Sequence, residues 1–193
     1  MPRTCIVYST TDGHTLEICQ RIQQLLQSAG HQSELIAVDA ATNIDWSVCD
    51  QIVIGARIRY GKHHPDVRAF IERHLQQLQA RPGAFFSVNV VARKPGKDTV
   101  AGNPYLQKFL KTITWRPTEL AVFAGKIDYR KYRLGDRLMI RFIMWLTRGP
   151  TQPDACVDFT DWQAVADFAR HVAAMGTAPA APLRAAASER ADD

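Results

Sequence analysis

No apolar run in this chain approaches the ~18 residues that cross a bilayer, which excludes a helix spanning a membrane. Cysteine is sparse and scattered. Cys5, Cys19, Cys49 and Cys156 form no C-x-x-C and have no histidine at ligand spacing. A disulfide scaffold and a zinc ribbon are thereby excluded, no metal site is expected, and all four thiols are predicted to be reduced core residues in a reducing cytosol. Met1-Pro2-Arg3-Thr4 leads straight into an apolar stretch, so no signal peptide is expected. The glycine-rich phosphate signatures are also missing. There is no G-x-x-x-x-G-K-S/T, which excludes a nucleoside-triphosphate P-loop, and no G-x-G-x-x-G, which excludes a dinucleotide fingerprint. Acidic residues are in the minority: 24 Lys and Arg against 19 Asp and Glu give a net charge of +5, favouring anionic partners. What is present is ordinary for one globular domain, with 193 residues, 46% hydrophobic and 22% charged, enough for a core without staples.

Behind Cys5-Ile6-Val7-Tyr8, a strand pattern, stands Ser9-Thr10-Thr11-Asp12-Gly13-His14-Thr15, and an amphipathic helix follows at once. The hydroxyls of Ser9, Thr10, Thr11 and Thr15 and the N–H groups of the turn can converge on one anion, with the positive helix end behind them. The loop has no Lys, so the anion that fits is a monophosphate held by hydroxyls and amides, with FMN the leading candidate. The same residue types also cap a β-to-α turn that holds no ligand, and the turn alone leaves both readings open.

Strand and helix patterns then alternate. A helix over about 15–29 places Ile18, Cys19, Ile22, Leu25, Leu26 and Ala29 on one face and ends at Gly30. Further strands are expected at 33–38, 51–55, 84–91 and 120–125; Gln51-Ile52-Val53-Ile54-Gly55 is apolar in the manner of a strand buried on both faces. Val67, Phe70, Ile71, Leu75 and Leu78 mark a helix after Pro65, and Tyr105, Leu106, Phe109, Leu110 and Ile113 another. Thr160-Asp161-Trp162-Gln163 has the form of a capping box for a last helix burying Trp162, Val165, Ala166, Ala169 and Val172. His74 and His171 lie near apolar faces and read as packing residues. From Gly176 the chain is Ala- and Pro-rich and reads as a disordered tail, 176–193, behind one domain, 1–175. Five strands alternating with helices predict a parallel α/β sheet covered on both faces, with ligands beyond the carboxyl ends of its strands.

Two loops at that end carry unusual chemistry. Ala56-Arg57-Ile58-Arg59-Tyr60-Gly61-Lys62-His63-His64-Pro65 follows the third strand. Gly55 and Gly61 permit turns that bring backbone amides to a flavin edge, Tyr60 can stack on the ring, and His63 and His64 can relay protons near neutral pH. A solvated basic turn has the same composition. Asn89-Val90-Val91-Ala92-Arg93-Lys94-Pro95-Gly96-Lys97 follows the fourth strand and would flank the same ring. It offers no aromatic, so one ring face is expected to stay open for a reactant, and Arg93, Lys94 and Lys97 are candidates to bind an anionic one.

An insert follows the fifth strand. Between Lys126 and Arg148 stand seven basic residues and two acids, an excess equal to the whole chain's net charge of +5. Its second half, Leu134–Leu146, is helical in pattern, with Arg137, Arg141 and Arg148 as one basic stripe and Leu138, Met139, Ile140, Phe142, Ile143, Met144, Trp145 and Leu146 over the rest. Such a helix suits the plane of an anionic membrane interface, arginines at the headgroups and Trp at the boundary. A core helix with a solvated arginine stripe has the same pattern. No nucleic-acid partner is expected, because aromatics interleave with basic residues only in Tyr129-Arg130-Lys131-Tyr132-Arg133.

Several runs carry a specific likeness: Tyr8-Ser-Thr-Thr-Asp-Gly-His-Thr15, Ile54-Gly-Ala-Arg-Ile-Arg-Tyr-Gly61, Phe86-Ser-Val-Asn-Val-Val-Ala-Arg-Lys-Pro95, Trp115-Arg-Pro117, Tyr129-Arg-Lys-Tyr-Arg133 and Thr160-Asp-Trp162. Through them the chain, from about Thr4 to Val172, resembles the flavodoxin-like, quinone-dependent protoporphyrinogen IX dehydrogenases of bacterial haem synthesis. The resemblance implies a five-stranded parallel sheet of order 2-1-3-4-5 with a basic amphipathic insert, 126–149, after strand five. It implies FMN, its phosphate at Ser9, Thr10, Thr11, Asp12, Gly13, His14 and Thr15. The ring would lie between Ala56, Arg57, Ile58, Arg59, Tyr60 and Gly61 and the facing Asn89, Val90, Val91, Ala92 and Arg93. Asp12, where common flavodoxins carry Thr, is expected to cap the turn, since a carboxylate beside phosphate is repulsive. The implied activity is oxidation of protoporphyrinogen IX to protoporphyrin IX, six electrons passing through FMN to three quinones, menaquinone or ubiquinone. His64 and Arg59 are the candidate catalytic residues. A relative carries His where this chain has Lys62, which moves the acid–base candidate to His64, and Arg59 can hold a propionate. The implied place is the cytoplasmic face of the bacterial inner membrane, as a peripheral protein docked by the insert on an anionic surface; the insert's apolar surface also fits a second copy in a homo-oligomer. The rival readings are an NAD(P)H:quinone reductase, a flavodoxin-type electron carrier, usually acidic and so at odds with this charge, and a membrane-binding module without FMN.

Overall fold

A computed structural model of the chain describes residues 1–41, 44–132, 134–146 and 149–175. The expected tail, 176–193, and Arg133 and Arg148 of the insert lie outside the described residues. Five strands, β1 (Arg3–Ser9), β2 (Gln32–Ala37), β3 (Gln51–Arg59), β5 (Gly83–Asn89) and β6 (Glu119–Ala124), pair in parallel in the order β2-β1-β3-β5-β6. The two-residue β4 (Lys62–His63) folds back antiparallel on the end of β3. Without β4 the order is 2-1-3-4-5, as expected.

Alternate side chains of each strand enter opposite cores. Val7, Ile52, Ile54 and Phe85 pack under α2 (Pro65–Arg73), α3 (Leu75–Gln79) and α4 (Pro104–Leu110), meeting Val67, Phe70, Ile71, Leu78, Leu106 and Phe109. Ile6, Val53, Ala84 and Phe86 pack on the other side under α1 (His14–Ser28) and α6 (Trp162–Met175), meeting Ile18, Ile22, Val165, Phe168 and Val172. The sheet centre is tight: a Cβ added at Gly55 would lie 2.3 Å from the Phe86 ring.

Local departures from expectation have identifiable causes. The helix after Pro65 breaks at His74, whose ring leaves the helix line to pack on Trp46 and Phe70 at 5.2 and 4.8 Å. The last helix is capped by Asp161, which accepts from the N–H groups of Gln163 and Ala164 at 2.9 and 3.0 Å, so Thr160 is free for another role. Trp162 is exposed rather than buried, and Phe168 fills the core in its stead. Cys5, Cys19 and Cys49 are buried as predicted, but Cys156 is exposed. His171 lies at the surface 3.7 Å from Glu119.

The insert is longer than its basic stretch. β7 (Lys126–Asp128) pairs antiparallel with β8 (Cys156–Asp158) and closes the excursion at its base. Above the pair, Ile127, Tyr129 and Met144 form a small core of their own, and Tyr129 donates its hydroxyl to the Pro150 carbonyl at 2.7 Å. The helix α5 (Leu134–Leu146) contributes Met144 and Ile140 to that core.

Candidate active site

In-register pairing of Ser9 with Ala56 and of Ala56 with Ser87 brings the carboxyl ends of β1, β3 and β5 side by side. A cleft with about 1070 Å³ of empty space, open to solvent, lies there, and a polar one of about 550 Å³ adjoins it. From the first loop Thr10, Asp12, His14 and Thr15 line the larger cavity; from the second, Arg57, Ile58, Arg59, Tyr60 and Gly61; from the third, Asn89, Val90 and Val91. Thr11 lines the polar cavity instead. Ser9, Gly13, Ala56, Ala92 and Arg93 line neither. Ser9, Ala56 and Ala92 are buried in the fold beneath, and Arg93 turns back to donate to the Val90 carbonyl at 3.0 Å.

The first turn is shaped by Gly13, whose φ of +87° is unstrained without a side chain. Thr10 Oγ1 accepts from the Gly13 N–H at 3.1 Å, the capping role expected of Asp12. Asp12 directs its charge at Arg57 and Tyr132. His14 is buried, with Nδ1 3.0 Å from Glu17 Oε2, Nε2 2.7 Å from Thr160 Oγ1 and the ring edge-on to Trp162. Thr160 also donates to the Ala124 carbonyl at 2.9 Å, so His14 fastens α1 to the end of β6. Burial works against the Glu17 carboxylate, yet His14 and Lys126 outweigh it and hold its pKa below the ordinary range.

The second loop is a two-residue hairpin, Tyr60-Gly61, with φ of 50° and 76°, joining Arg59 to Lys62. Both residues sit in the left-handed region that such hairpins require, a cost of about 1 kcal/mol for Tyr60. Arg59 and the Tyr60 hydroxyl both bond the carboxylate of Asp136 on α5. Burial opposes the Arg59 charge, but those two partners prevail and raise its pKa. Arg57, by contrast, is shifted down by burial and by Arg59 beside it, with Asp12 in partial opposition. Its Nε is buried without a partner. His63 is packed 4.3 Å from the Phe109 ring, Nε2 bonds Ser87 Oγ at 3.0 Å, and burial pushes its pKa down to about 4. Its ring is held neutral among packed side chains. His64 sits at the start of α2, 3.2 Å from Asp66, and lines neither cavity.

In the third loop Asn89 Oδ1 accepts from the Ala92 N–H at 3.1 Å and from Asn103 Nδ2 at 3.3 Å, bending the chain into a short 3-10 helix, Val90–Arg93, where the strand was expected to run on. Its Nδ2 is buried and unpartnered. The missing aromatic comes from elsewhere. Tyr105 of α4 lies against Gly61 and lines the larger cavity, as does Tyr132 of the insert, whose hydroxyl burial pushes up to about 12. Ile140, Ile143 and Met144 of α5 form the cavity's outer wall. None of these five belonged to the predicted set, because helix periodicity says which residues are apolar but not which distant loop they cover.

The profile of the family described as flavodoxin domain matches residues 5–154. The chain belongs to the flavodoxin domain family. Within it the chain is 42% identical over 177 residues to protoporphyrinogen IX dehydrogenase (quinone) of Escherichia coli (strain K12), covering 92% of this chain and 98% of that protein. Its identity to the protein of the same name from Leishmania major is 37% over 175 residues, 90% of this chain and 76% of the other. It therefore belongs with those dehydrogenases inside the family. Among solved structures it is similar to the two-electron reduced flavodoxin of Megasphaera elsdenii, 20% identical with a TM-score of 0.46 over 62% of this chain and 84% of that one. It is also similar to rubredoxin oxygen:oxidoreductase from Desulfovibrio gigas, 12% identical with a TM-score of 0.48 over 91% and 36%. Among the described residues no helix is long and apolar enough to cross a membrane.

The residues present fit a flavin. Two buried donors without partners, Arg57 Nε and Asn89 Nδ2, belong to side chains lining one cavity, and the acceptor-rich edge of an isoalloxazine satisfies such groups. Thr10 and Thr15 stand at the other end beside the start of α1.

α5 corrects one expectation in detail. Arg137 and Arg141 donate to the carbonyls of Pro153 and Thr151, so they hold the helix to the segment that leads back into β8. The exposed surface is apolar: Leu134, Leu138, Met139, Phe142 and Trp145 are 49–78% exposed. A core helix with a solvated arginine stripe is the inverse of this arrangement.

Proposed function

We propose that this chain oxidises protoporphyrinogen IX to protoporphyrin IX with bound FMN and passes the electrons to a membrane quinone, a step in haem formation. The observation that carries the reading is a cavity floored by the three flavodoxin-domain loops and walled by α5, in a chain matching 98% of the Escherichia coli dehydrogenase at 42% identity. Thr10, Thr15 and the first N–H groups of α1 hold the phosphate. Arg57 and Asn89 meet the polar edge of the ring, with Tyr60 and Tyr105 beside it. When bound, FMN supplies a two-electron acceptor that a quinone can discharge. Six electrons and six protons leave each porphyrinogen, and three quinols form. The chain's own share is orientation and exclusion of water, since His63 is held neutral and His64 lies outside the cavities. Arg59 faces both cavities and suits a propionate.

Both organic reactants are lipophilic, and the bare apolar face of α5 supports docking on a bilayer at the cytoplasmic side of the inner membrane. The exposed cations Arg130 and Lys131 beside it favour anionic headgroups. The reading is tested with anaerobic protoporphyrinogen and a quinone. Porphyrin formation that needs both protein and quinone supports it. Formation at the protein-free rate contradicts it, and quinone reduction driven by NADPH points to the reductase instead.

A further inference from the structure

Arg59 faces both cavities, and its partner in the free protein is a carboxylate that comes from the insert, 77 positions away. Asp136 stands in the first turn of α5 and bonds both Arg59 and the Tyr60 hydroxyl. The other side-chain links of α5 named above stay within the insert: Arg137 to Pro153, Arg141 to Thr151, and Met144 with Ile127 and Tyr129. Asp136 thus ties the insert helix to the β3–β4 hairpin. The pair is partly exposed, at 28% for Arg59 and 23% for Asp136, so water reaches it and exchange of one carboxylate for another costs little.

We propose that Asp136 holds the place of a ligand carboxylate on Arg59, and that an anionic, lipophilic ligand entering the polar cavity displaces it and frees the start of α5. The charges at the cavity support this. Lys131 donates to the Asp12 carbonyl at 3.2 Å and lines the polar cavity with Arg59, while Arg57 lies close enough to feel both Arg59 and Asp12. Two acids, Asp12 and Asp136, and four cations, Arg57, Arg59, Lys126 and Lys131, line the two cavities, and Glu17 holds Lys126 at 3.5 Å. With Asp136 withdrawn, Asp12 and Glu17 leave two positive charges uncompensated, which suits a ligand bearing two carboxylates. The same event loosens the start of α5 beside the wall that Ile140, Ile143 and Met144 make along the larger cavity, so ligand charge is read where the apolar body enters. The identity of the ligand rests on the function proposed above; the latch itself does not.

The test uses the FMN-loaded full chain, wild type and Asp136→Asn, with two probes, protoporphyrin IX and its dimethyl ester. Binding is followed by fluorescence and the opening of residues 134–146 by hydrogen exchange. Asp136→Asn is expected to bind the diacid about three- to tenfold more tightly and the ester unchanged, whereas Arg59→Gln binds the diacid about tenfold more weakly. Without any ligand, residues 134–146 exchange faster in Asp136→Asn than in wild type. Tyr60→Phe, which removes one bond and no charge, gives the same signs at smaller size and serves if Asp136→Asn does not fold. Diacid binding no tighter in Asp136→Asn and Tyr60→Phe than in wild type, or exchange unchanged in them, overturns the proposal. If wild type binds neither porphyrin and turns none over, the functional reading fails, and the exchange comparison alone decides the latch.

Discussion

The adjacent histidines His63 and His64 have the same side chain and opposite surroundings. His63 is walled by Phe85 and Phe109, while His64 stands at a helix start beside Asp66. Burial depresses the His63 pKa to about 4, so the unfolded chain takes up this proton first as acid is added. The stability it contributes is complete above the unfolded value near 6.5 and is lost as pH falls toward 4. Chemical denaturation should therefore show wild type losing about 2 kcal/mol more than His63→Gln between about pH 7 and 5. Equal losses would mean that His63 is solvated. Thr15 makes a separate prediction. It is buried, lines the larger cavity and sits in the first turn of α1, where the proposed function puts the phosphate. Thr15→Val keeps its shape and removes one hydroxyl, so FMN should bind about 10- to 100-fold more weakly, the range for a bond to a charged group. Riboflavin, which has no phosphate, should bind wild type and variant alike in a flavin-fluorescence titration. At this scale residue type was legible and environment was not. Nothing in His63-His64 says which ring meets Phe109.

Elements were legible where one signal dominated. Continuous apolar runs located all five parallel strands, and Gly30 ended the first helix. Ends set by side-chain bonds were missed: Asn89 terminates β5, and Asp161 caps α6 in place of Thr160. For α5 the pattern showed an amphipathic helix with arginines on one stripe, and the expectation sent that stripe to membrane headgroups, or to solvent if the helix were part of the core. Carbonyls at Thr151 and Pro153 satisfy Arg141 and Arg137 instead, leaving the apolar side bare. The docking proposed above would then be driven by area more than by charge. Phe142→Glu with Trp145→Glu should abolish sedimentation with anionic vesicles while FMN content stays at the wild-type level, because neither side chain lines the cavity. Retained sedimentation would move docking elsewhere, and lost FMN would make α5 part of the flavin site.

At the scale of the molecule, the flavodoxin topology was legible because alternating strands and helices admit few arrangements, and the loops at one sheet end were flagged by their composition. The insert's relation to that end was not legible. Asp136 finds Arg59 across 77 positions, and Tyr132, Ile140 and Met144 enter a cavity that no local pattern announces. Such contacts follow from how β7 and β8 close the insert and aim α5 back over the strand ends. The proposed function therefore rests on a composite site, flavodoxin loops beneath and the insert as a wall, that would work on a lipophilic reductant and a lipophilic oxidant. Its most direct test is anaerobic protoporphyrinogen IX mixed with the FMN-loaded protein on anionic vesicles, with and without quinone, followed by porphyrin fluorescence. The account predicts rapid growth only when protein and quinone are both present, with three quinols formed per porphyrin. Growth no faster than in protein-free vesicles with quinone would contradict it.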